Sequence, residues 1–127
     1  MKYNNIILID DDEEDHQIFL AALEQISNSV KYHFFTDGRK ALQDLISGNI
    51  QPQAIFLDLN MPLMSGHEFL AQIKQIEKLQ SIPIIIFTTS SDPSIKEMSL
   101  AMGAKDFLTK PSDFKDLIAL LEPLILK

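Results

Sequence analysis

The chain has 127 residues, of which 46% are hydrophobic and 23% charged, and its 18 acidic and 11 basic side chains give a net charge of −7. This length fits one domain with a single core, and the apolar content excludes a disordered chain. The acidic balance argues against a nucleic-acid partner, which would need a basic surface, and the lack of cysteine excludes disulfides and thiolate chemistry.

Strand and helix patterns alternate five times along the chain. The predicted strands are short, mostly apolar runs: Asn5–Ile9, Val30–Phe35, Ala54–Leu57, Pro83–Thr88 and Lys105–Thr109. Each is followed by apolar residues at the 3.6-residue period of one helix face. The helix-period positions are Ile18, Phe19, Ala22, Leu23 and Ile26, then Ala41, Leu42, Leu45 and Ile46, then Phe69, Leu70, Ile73 and Ile76, then Ile95, Met98 and Met102, and finally Leu117, Ile118, Leu121 and Ile125.

This alternation predicts βαβ units and a doubly wound parallel sheet with helices on both faces, an α/β fold. The first, third and fourth strands are almost wholly apolar, so we place them in the middle of the sheet. The second and fifth strands carry Lys31, His33, Lys105 and Asp106, which suit edge positions. The predicted strand order is therefore 2-1-3-4-5.

Capping residues predict where three of the helices begin. Ser65 and Glu68 form an S-x-x-E capping box before the third helix. Asp92 is the expected N-cap of the fourth helix, because a proline follows it at the first helical position. Ser112 is the expected cap of the last helix, which we expect to fray or kink at Pro123.

The central strand ends at a single carboxylate, Asp58, and Asn60 and Pro62 then indicate a loop. Open α/β sheets bind ligands just outside the carboxyl ends of their strands, so Asp58 is a candidate site residue. Taken alone, an aspartate that merely caps a turn is slightly the better interpretation. Complementary groups at three other strand ends favour the functional one.

An acidic block, Asp10–Asp15, follows the first strand. We interpret Glu13–Asp15 as ordinary helix-start charges, which complement the helix dipole. Asp10 and Asp11 differ, because they adjoin the buried strand and would face Asp58 across the crevice. Like charges ~5 Å apart repel by roughly 3 kcal/mol at an effective dielectric of ~20. Such a cluster calls for a cation, and oxygen-only ligands favour Mg²⁺ or Mn²⁺ over zinc.

Thr88 ends the fourth strand, and Lys110 follows the fifth. A lone threonine there is usually only a strand residue, and a lone lysine is usually solvated. Together with the acids they complete a set, because a hydroxyl and an ammonium suit the oxygens of a phosphoryl group. An acyl phosphate formed on Asp58, with a metal ion bridging its oxygens to Asp11, would use every member of the set.

Four motifs in order carry a family resemblance: I-L-I-D-D at Ile7–Asp11, I-F-L-D-L-N-M-P-L-M-S-G at Ile55–Gly66, I-I-F-T-T-S at Ile85–Ser90, and M-G-A-K-D-F-L-T-K-P at Met102–Pro111. With them, the chain resembles the receiver domain of two-component response regulators over residues 1–127. Within that family it looks most like small stand-alone regulators of the bacterial-phytochrome type. The resemblance implies a flavodoxin-like (βα)5 receiver fold.

The resemblance also implies a role for each motif residue. Asp58 would accept the phosphoryl group from a sensor histidine kinase or phosphotransfer protein. Asp11 would bind the metal directly and Asp10 through water, while Asn60 would offer its backbone carbonyl. Thr88 and Lys110 would contact the phosphoryl group.

The resemblance also implies which residues transmit the signal from the site. Phe107 stands at the position of the family's switch aromatic, and the Lys110–Pro111 bond is typically cis in the family. The fourth helix, last strand and last helix would then change shape as one face, for partner binding or homodimerisation. Phe114 and the methionines of the fourth helix do not all fit an inward stripe, so part of this face should be apolar.

Some features depart from the family pattern. Thr89 replaces the usual small residue after the switch threonine, and its bulk could slow phosphoryl donors or water. His16, His33 and His67 match no ligand pattern, and we interpret them as surface or helix positions.

Two rival functions stay open. A haloacid-dehalogenase-type phosphatase would need a second acid where Asn60 stands, and the chain has no room for a cap domain. A pseudo-receiver would keep the fold as an interaction module without phosphorylation, against which the intact set argues. No apolar run approaches ~20 residues and no signal peptide is evident, so we expect a cytoplasmic protein with no membrane or nucleic-acid partner.

Overall fold

A computed structural model describes residues 2–126, so the predicted domain bounds at 1 and 127 lie outside the described residues. Five strands alternate with five helices. The strands are β1 (Asn5–Ile9), β2 (Lys31–Phe35), β3 (Ala54–Leu57), β4 (Ile84–Thr88) and β5 (Asp106–Thr109). The helices are α1 (Glu13–Ile26), α2 (Gly38–Ser47), α3 (Gly66–Ile73), α4 (Pro93–Ala101) and α5 (Phe114–Leu126).

The strands form one parallel sheet in the order β2-β1-β3-β4-β5, which confirms the predicted order. Every residue of β3 and β4 is buried, as are four of the five in β1, because helices cover both faces of these central strands. In the register of the sheet, Ile9 at the end of β1 lies opposite Leu57 at the end of β3. The residues that follow these two strands are therefore neighbours.

Two hydrophobic clusters lie on opposite faces of the sheet, since alternate residues of a strand point to opposite sides. One contains Ile55 and Leu57 from β3 and is covered by α2 and α3, with Phe69 at its centre. The other contains Phe56 from the same strand and is covered by α1 and α5, with Phe19 buried against it. The sheet is thus held rigid from both sides, and the loops at its carboxyl edge are built on a fixed base.

Two of the predicted caps are confirmed and one is wrong. Ser65 and Glu68 form the full capping box, with hydrogen bonds of 3.0 and 3.1 Å, and Asp92 caps α4. For α5 the cap is Asp113 instead of Ser112: its carboxylate accepts a hydrogen bond from the amide of Lys115 at 2.8 Å. The carboxylate one residue nearer the helix reaches that free amide, so the serine is not needed. The helix continues through Pro123 to Leu126.

Some apolar residues at the helical period are exposed: Ile18 by 41%, Ile46 by 46% and Met98 by 54%. Each lies about 100° around its helix from a buried neighbour, and the contact stripe against the sheet is narrower than the apolar pattern. In α4 the single buried residue is Ser99. The expectation of apolar surface around α4 and α5 is therefore met, with Phe114 also 41% exposed.

Two further sequence expectations concern the backbone and the membrane. No peptide bond within residues 2–126 is cis, so the expected cis bond between Lys110 and Pro111 is wrong for this structure. Trans is the lower-energy isomer of an X–Pro bond where no contact demands the other. Among the described helices, none is both long and apolar enough to cross a membrane.

Candidate functional site

Two carboxylates meet where β1 and β3 end. Asp10 follows β1 and is fully buried, and Asp58 follows β3 and is 6% exposed. The amide of Asp58 donates a hydrogen bond to the carbonyl of Ile9 at 2.9 Å, which ties the two strand ends together. Asp11, next in the chain, is exposed. One carboxylate oxygen from each of these three aspartates lies within 4.8 Å of the other two.

Lys110 brings a positive charge to the same edge from β5. Its backbone amide donates to the carbonyl of Thr88 at 2.7 Å, which fixes the root of the side chain beside β4. Its Nζ lies 2.7 Å from Asp10 Oδ2, 2.8 Å from Asp15 Oδ2 and 4.0 Å from Asp58 Oδ2. The ammonium therefore donates hydrogen bonds to two carboxylates and lies within ion-pair range of the third.

Burial and charge shift the pKa values of these groups in defined directions. Burial raises the pKa of Asp58 above its ordinary 3.8, with Lys110 opposing the rise and Asp10 adding to it. Burial also raises the pKa of Asp10, against the hydrogen bond from Lys110. For Lys110, burial disfavours the ammonium, but the hydrogen bonds to Asp10 and Asp15 outweigh it and raise the pKa. The lysine stays charged, and two buried carboxylates would gain from a further cation.

Thr88 closes the site on the β4 side. Its hydroxyl is buried and makes no hydrogen bond of good geometry, although it lies near enough to the Asp58 carboxylate to oppose the rise that burial causes in the pKa of that group. Leaving a buried hydroxyl unpaired costs about 1–3 kcal/mol, so such a group commonly has a partner in another state of the molecule. The following residue, Thr89, is exposed at the rim. Its predicted effect on phosphoryl donors or water stays a prediction.

Two other predicted site residues contribute no charge to the cluster. Phe107 is 7% exposed and packs in the hydrophobic cluster that α2 and α3 cover. Its role as the switch aromatic stays a prediction. Asn60 is exposed in the loop after Asp58. The role given to its carbonyl also stays a prediction.

Gly66, quoted in the second motif, has a structural reason that sequence reasoning missed. A Cβ at this position would lie 2.4 Å from the backbone oxygen of Asp58 and 2.7 Å from the Cα of Leu59. The amide of Gly66 also donates to the carbonyl of Leu59 at 3.0 Å. The first residue of α3 is thus pressed against the peptide of Asp58, and only glycine fits there.

Sequence reasoning also missed Asp15 and His16, both in α1. Asp15, interpreted as a helix-start charge, pairs with Lys110. Of the two positions expected for His16, surface or helix, the structure shows the helix: it lies in α1, is 2% exposed, and its Nε2 lies 2.7 Å from the carbonyl oxygen of Asp10. Its Nδ1 lies 3.0 Å from the Tyr32 hydroxyl. Since the carbonyl can only accept, Nε2 donates the bond to Asp10, and the Tyr32 hydroxyl also donates to the backbone carbonyl of His16 at 3.4 Å.

The site offers a metal ion oxygen ligands only. Asp10, Asp11 and Asp58 supply carboxylate oxygens that converge on one point, and no histidine or cysteine is among them. Hard cations of the Mg²⁺ and Mn²⁺ class prefer such ligands. Asp11, on the exposed side, leaves room for water in the coordination sphere. The residues present therefore fit a divalent cation.

Comparison with known proteins agrees with this geometry. Response regulator Rcp1 of Synechocystis is 30% identical over 122 residues, which cover 92% of this chain and 83% of Rcp1. The Mn²⁺-bound crystal structure of Rcp1 superposes with a TM-score of 0.84 at 29% identity, covering 95% of this chain and 91% of that one. The phosphorylated cyanobacterial phytochrome response regulator RcpA gives a TM-score of 0.87 at 25% identity, covering 96% and 91%.

A longer relative shows the same domain in another setting. The cyclic di-GMP phosphodiesterase response regulator RpfG of Xanthomonas campestris is 32% identical over 107 residues, which are 84% of this chain but 28% of RpfG. The family model described as the response regulator receiver domain matches residues 6–122. The chain therefore belongs to the response regulator receiver domain family, whose members take phosphoryl groups from histidine kinases or phosphotransfer partners in phosphorelay signalling.

Proposed function

We propose that Asp58 accepts the phosphoryl group. The observation that supports this is the position of its buried carboxylate, which belongs to the acidic cluster with Asp10 and Asp11 and lies 4.0 Å from the Lys110 ammonium. Asp10 is already engaged at closer range, by Lys110 at 2.7 Å and by the amide of Asp12 at 3.0 Å. Asp58 is therefore the buried carboxylate with the greater freedom to form a new bond.

In the transfer, a carboxylate oxygen of Asp58 forms a bond to phosphorus while the phosphorus–nitrogen bond of a donor phosphohistidine breaks. The leaving imidazole nitrogen keeps the electron pair. Lys110 offers its ammonium to the phosphoryl oxygens, and Thr88 offers a buried hydroxyl beside the Asp58 carboxylate. Both groups are aimed at negative charge that the transferred group brings.

Mg²⁺ is the cofactor we propose, with Mn²⁺ as a substitute. Asp11 and Asp58 would bind it directly, Asp10 through water, and Asn60 through its backbone carbonyl. When bound, the ion neutralises charge on the carboxylates and the phosphoryl oxygens. Support comes from the oxygen-only donor set and from the Mn²⁺-bound form of the similar Rcp1.

The proposed phosphoryl donor is a sensor histidine kinase or a phosphotransfer protein. Output would pass through the face formed by α4, β5 and α5, by movement of Thr88 and the aromatic ring of Phe107. The exposed Met98 and Phe114 support partner binding or homodimerisation on that face. We propose a cytoplasmic protein that acts on no nucleic acid or membrane and catalyses only its own phosphorylation and dephosphorylation.

The two rival functions are not favoured. A pseudo-receiver needs no buried carboxylate cluster beside a lysine, yet this chain has one. A phosphatase of the haloacid-dehalogenase type would need an acid at the position of Asn60.

The experiment is mass spectrometry after treatment with a small acyl-phosphate donor and Mg²⁺. We expect the wild type to gain the mass of one phosphoryl group, located on the peptide that contains Asp58. Asp58→Asn should gain none, because the nearly isosteric amide cannot form the acyl phosphate. Asp116→Asn, on an exposed carboxylate of α5, is the matched control and should be labelled like the wild type. Full labelling of Asp58→Asn would contradict the assignment.

A further inference from the structure

We propose that Asp15 is a positioning residue: it binds the Lys110 ammonium and thereby competes for it with the phosphoryl group. This inference rests on the proposed phosphorylation of Asp58. Asp15 belongs neither to the three-carboxylate cluster nor to the motifs that define the family match. Its only described charged partner in the site is Lys110.

The position of the ammonium carries the argument. Lys110 Nζ lies 2.7 Å from Asp10 and 2.8 Å from Asp15, both within hydrogen-bond range, and 4.0 Å from Asp58, outside it. A lysine ammonium has three donors, and two are spent on the side of the crevice nearest α1. The ammonium is therefore held away from the carboxylate that would carry the phosphoryl group.

The pair is shielded enough for its geometry to matter. The side chain of Lys110 is 12% exposed and that of Asp15 is 34% exposed. Fully exposed ion pairs contribute little because water and salt screen them, whereas a largely buried charge-assisted hydrogen bond is stronger. The ring of Phe87 lies 5.7 Å from Nζ and closes another side of the ammonium.

The two carboxylates that bind Lys110 differ in their other interactions. Asp10 also accepts the amide of Asp12 at 3.0 Å, and its carboxylate belongs to the cluster that fits a cation. A bound cation would attract the Asp10 carboxylate and so weaken its interaction with Lys110. Asp15 lies outside the cluster, so its interaction with the ammonium would not be weakened in this way. Asp15 is thus the partner that still opposes movement of Lys110 towards a phosphoryl group on Asp58.

The test is the affinity of the Mg²⁺-loaded protein for beryllofluoride, a mimic of the phosphoryl group, measured by calorimetry and by fluorine NMR. Asp15→Asn should bind beryllofluoride about three- to tenfold more tightly than the wild type. Asp15→Glu keeps the charge and should remain near the wild type. Glu14→Gln, an exposed acid in the same helical turn, is the matched control for loss of one negative charge.

A double-mutant cycle separates competition for the lysine from a general charge effect. In a Lys110→Met background, Asp15→Asn should leave beryllofluoride affinity unchanged, because the contested ammonium is gone. Melting temperature reports on the fold, and Mg²⁺ affinity reports on the metal site. Asp15→Asn should change neither of them by as much as it changes beryllofluoride affinity.

The inference is overturned if Asp15→Asn binds beryllofluoride no better than the wild type, if it binds more weakly, or if Glu14→Gln gains as much. Weaker binding would show that Asp15 assists Lys110. A wild type that binds no beryllofluoride with Mg²⁺ present would instead count against the proposed phosphorylation of Asp58, so the two failures are distinguishable.

Discussion

The two helices that flank the site, α1 and α4, are attached to the protein very differently. Helix α1 buries Phe19, Ala22, Leu23 and even a histidine, His16. Helix α4 buries one residue, Ser99, and leaves Met98 and Leu100 at 54% and 40% exposure. Both helices follow strands whose ends form the crevice, so the difference is one of packing and not of position in the topology.

This contrast indicates which side of the site can respond to it. The α1 side gathers the charged groups: Asp10 and Asp11 lie in the loop that leads into α1, and Asp15 lies on this helix, which aromatic packing fixes. The α4 side has few buried apolar contacts, which is the physical signature of a segment with low local stability. A change at Thr88, the last residue of the strand before α4, would therefore move α4 at a low cost in free energy, while α1 stays in place.

The largest effect should come from truncating the core residue that fixes α1. Phe19 is fully buried, and its ring lies 5.2 Å from that of Phe56 and 5.6 Å from that of Phe87. Phe19→Ala should lower the free energy of unfolding by about 3–5 kcal/mol, through lost transfer energy and a cavity. Met98→Ala on α4 should change it by less than about 0.5 kcal/mol. Urea denaturation of both variants measures the difference.

Phe19→Leu provides a milder variant in case the alanine protein does not fold. It should fall between the wild type and the expected alanine value. Equal losses of unfolding free energy in the Phe19 and Met98 variants would show that α4 is packed as firmly as α1. The proposed difference between the two helices would then be wrong.

A middle-sized effect should follow from removing a buried charge on the crevice floor. Because the pKa of Asp58 is raised by burial, the folded protein binds more protons than the unfolded one between pH 3.8 and the raised value. Stability is therefore lost as the pH rises through that window, and the full cost is present at pH 7. Without metal, Asp58→Asn should raise the free energy of unfolding at pH 7 by about 1–2 kcal/mol.

The advantage of Asp58→Asn should shrink as the pH falls towards 3.8, where the wild-type carboxyl becomes neutral in both states. Lys110 keeps Asp10 and Asp15 as partners in this variant, so no buried charge is left alone. Glu97→Gln on α4, where the carboxylate is exposed, is the control and should show no such pH-dependent gain. A constant difference between pH 4 and pH 7 would show that desolvation of Asp58 is not the cause.

The sequence predicted what periodicity and strand order determine. The apolar runs identified the central strands, and the carboxyl ends of those strands identified Asp10, Asp58, Thr88 and Lys110 as neighbours. What it missed depends on contacts between distant positions. Asp15 and Lys110 are 95 residues apart, and nothing in the local pattern of α1 distinguishes Asp15 from its acidic neighbours.

Three other points that the sequence left unresolved have local causes. Ile18 fits the helical period but lies outside the narrow stripe that the sheet covers, and it is 41% exposed. Ser112 and Asp113 are both good N-caps, and only the backbone geometry of the loop decides between them. A histidine in an acidic turn gives no sign of burial, so His16 could not have been placed from the sequence.

The smallest effect should come from the single buried residue of α4. The hydroxyl of Ser99 donates to the carbonyl of Ile95 at 2.8 Å, and Nε2 of His67 lies 2.8 Å from the same hydroxyl oxygen. Since the serine proton is committed to the carbonyl, His67 must donate. This bond joins α4 to the first turn of α3, next to Gly66, which is pressed against the peptide of Asp58.

Ser99→Ala removes this link and leaves the half-buried imidazole of His67 without that acceptor, so it should cost about 1 kcal/mol. The loss should be local: hydrogen exchange should become faster at amides of α4 and stay unchanged in α1. Ser81→Ala, at an exposed serine, is the control and should alter neither helix. Equal acceleration in α1 and α4 would mean that the two helices open together, and that α4 is not the weakly held side of the site.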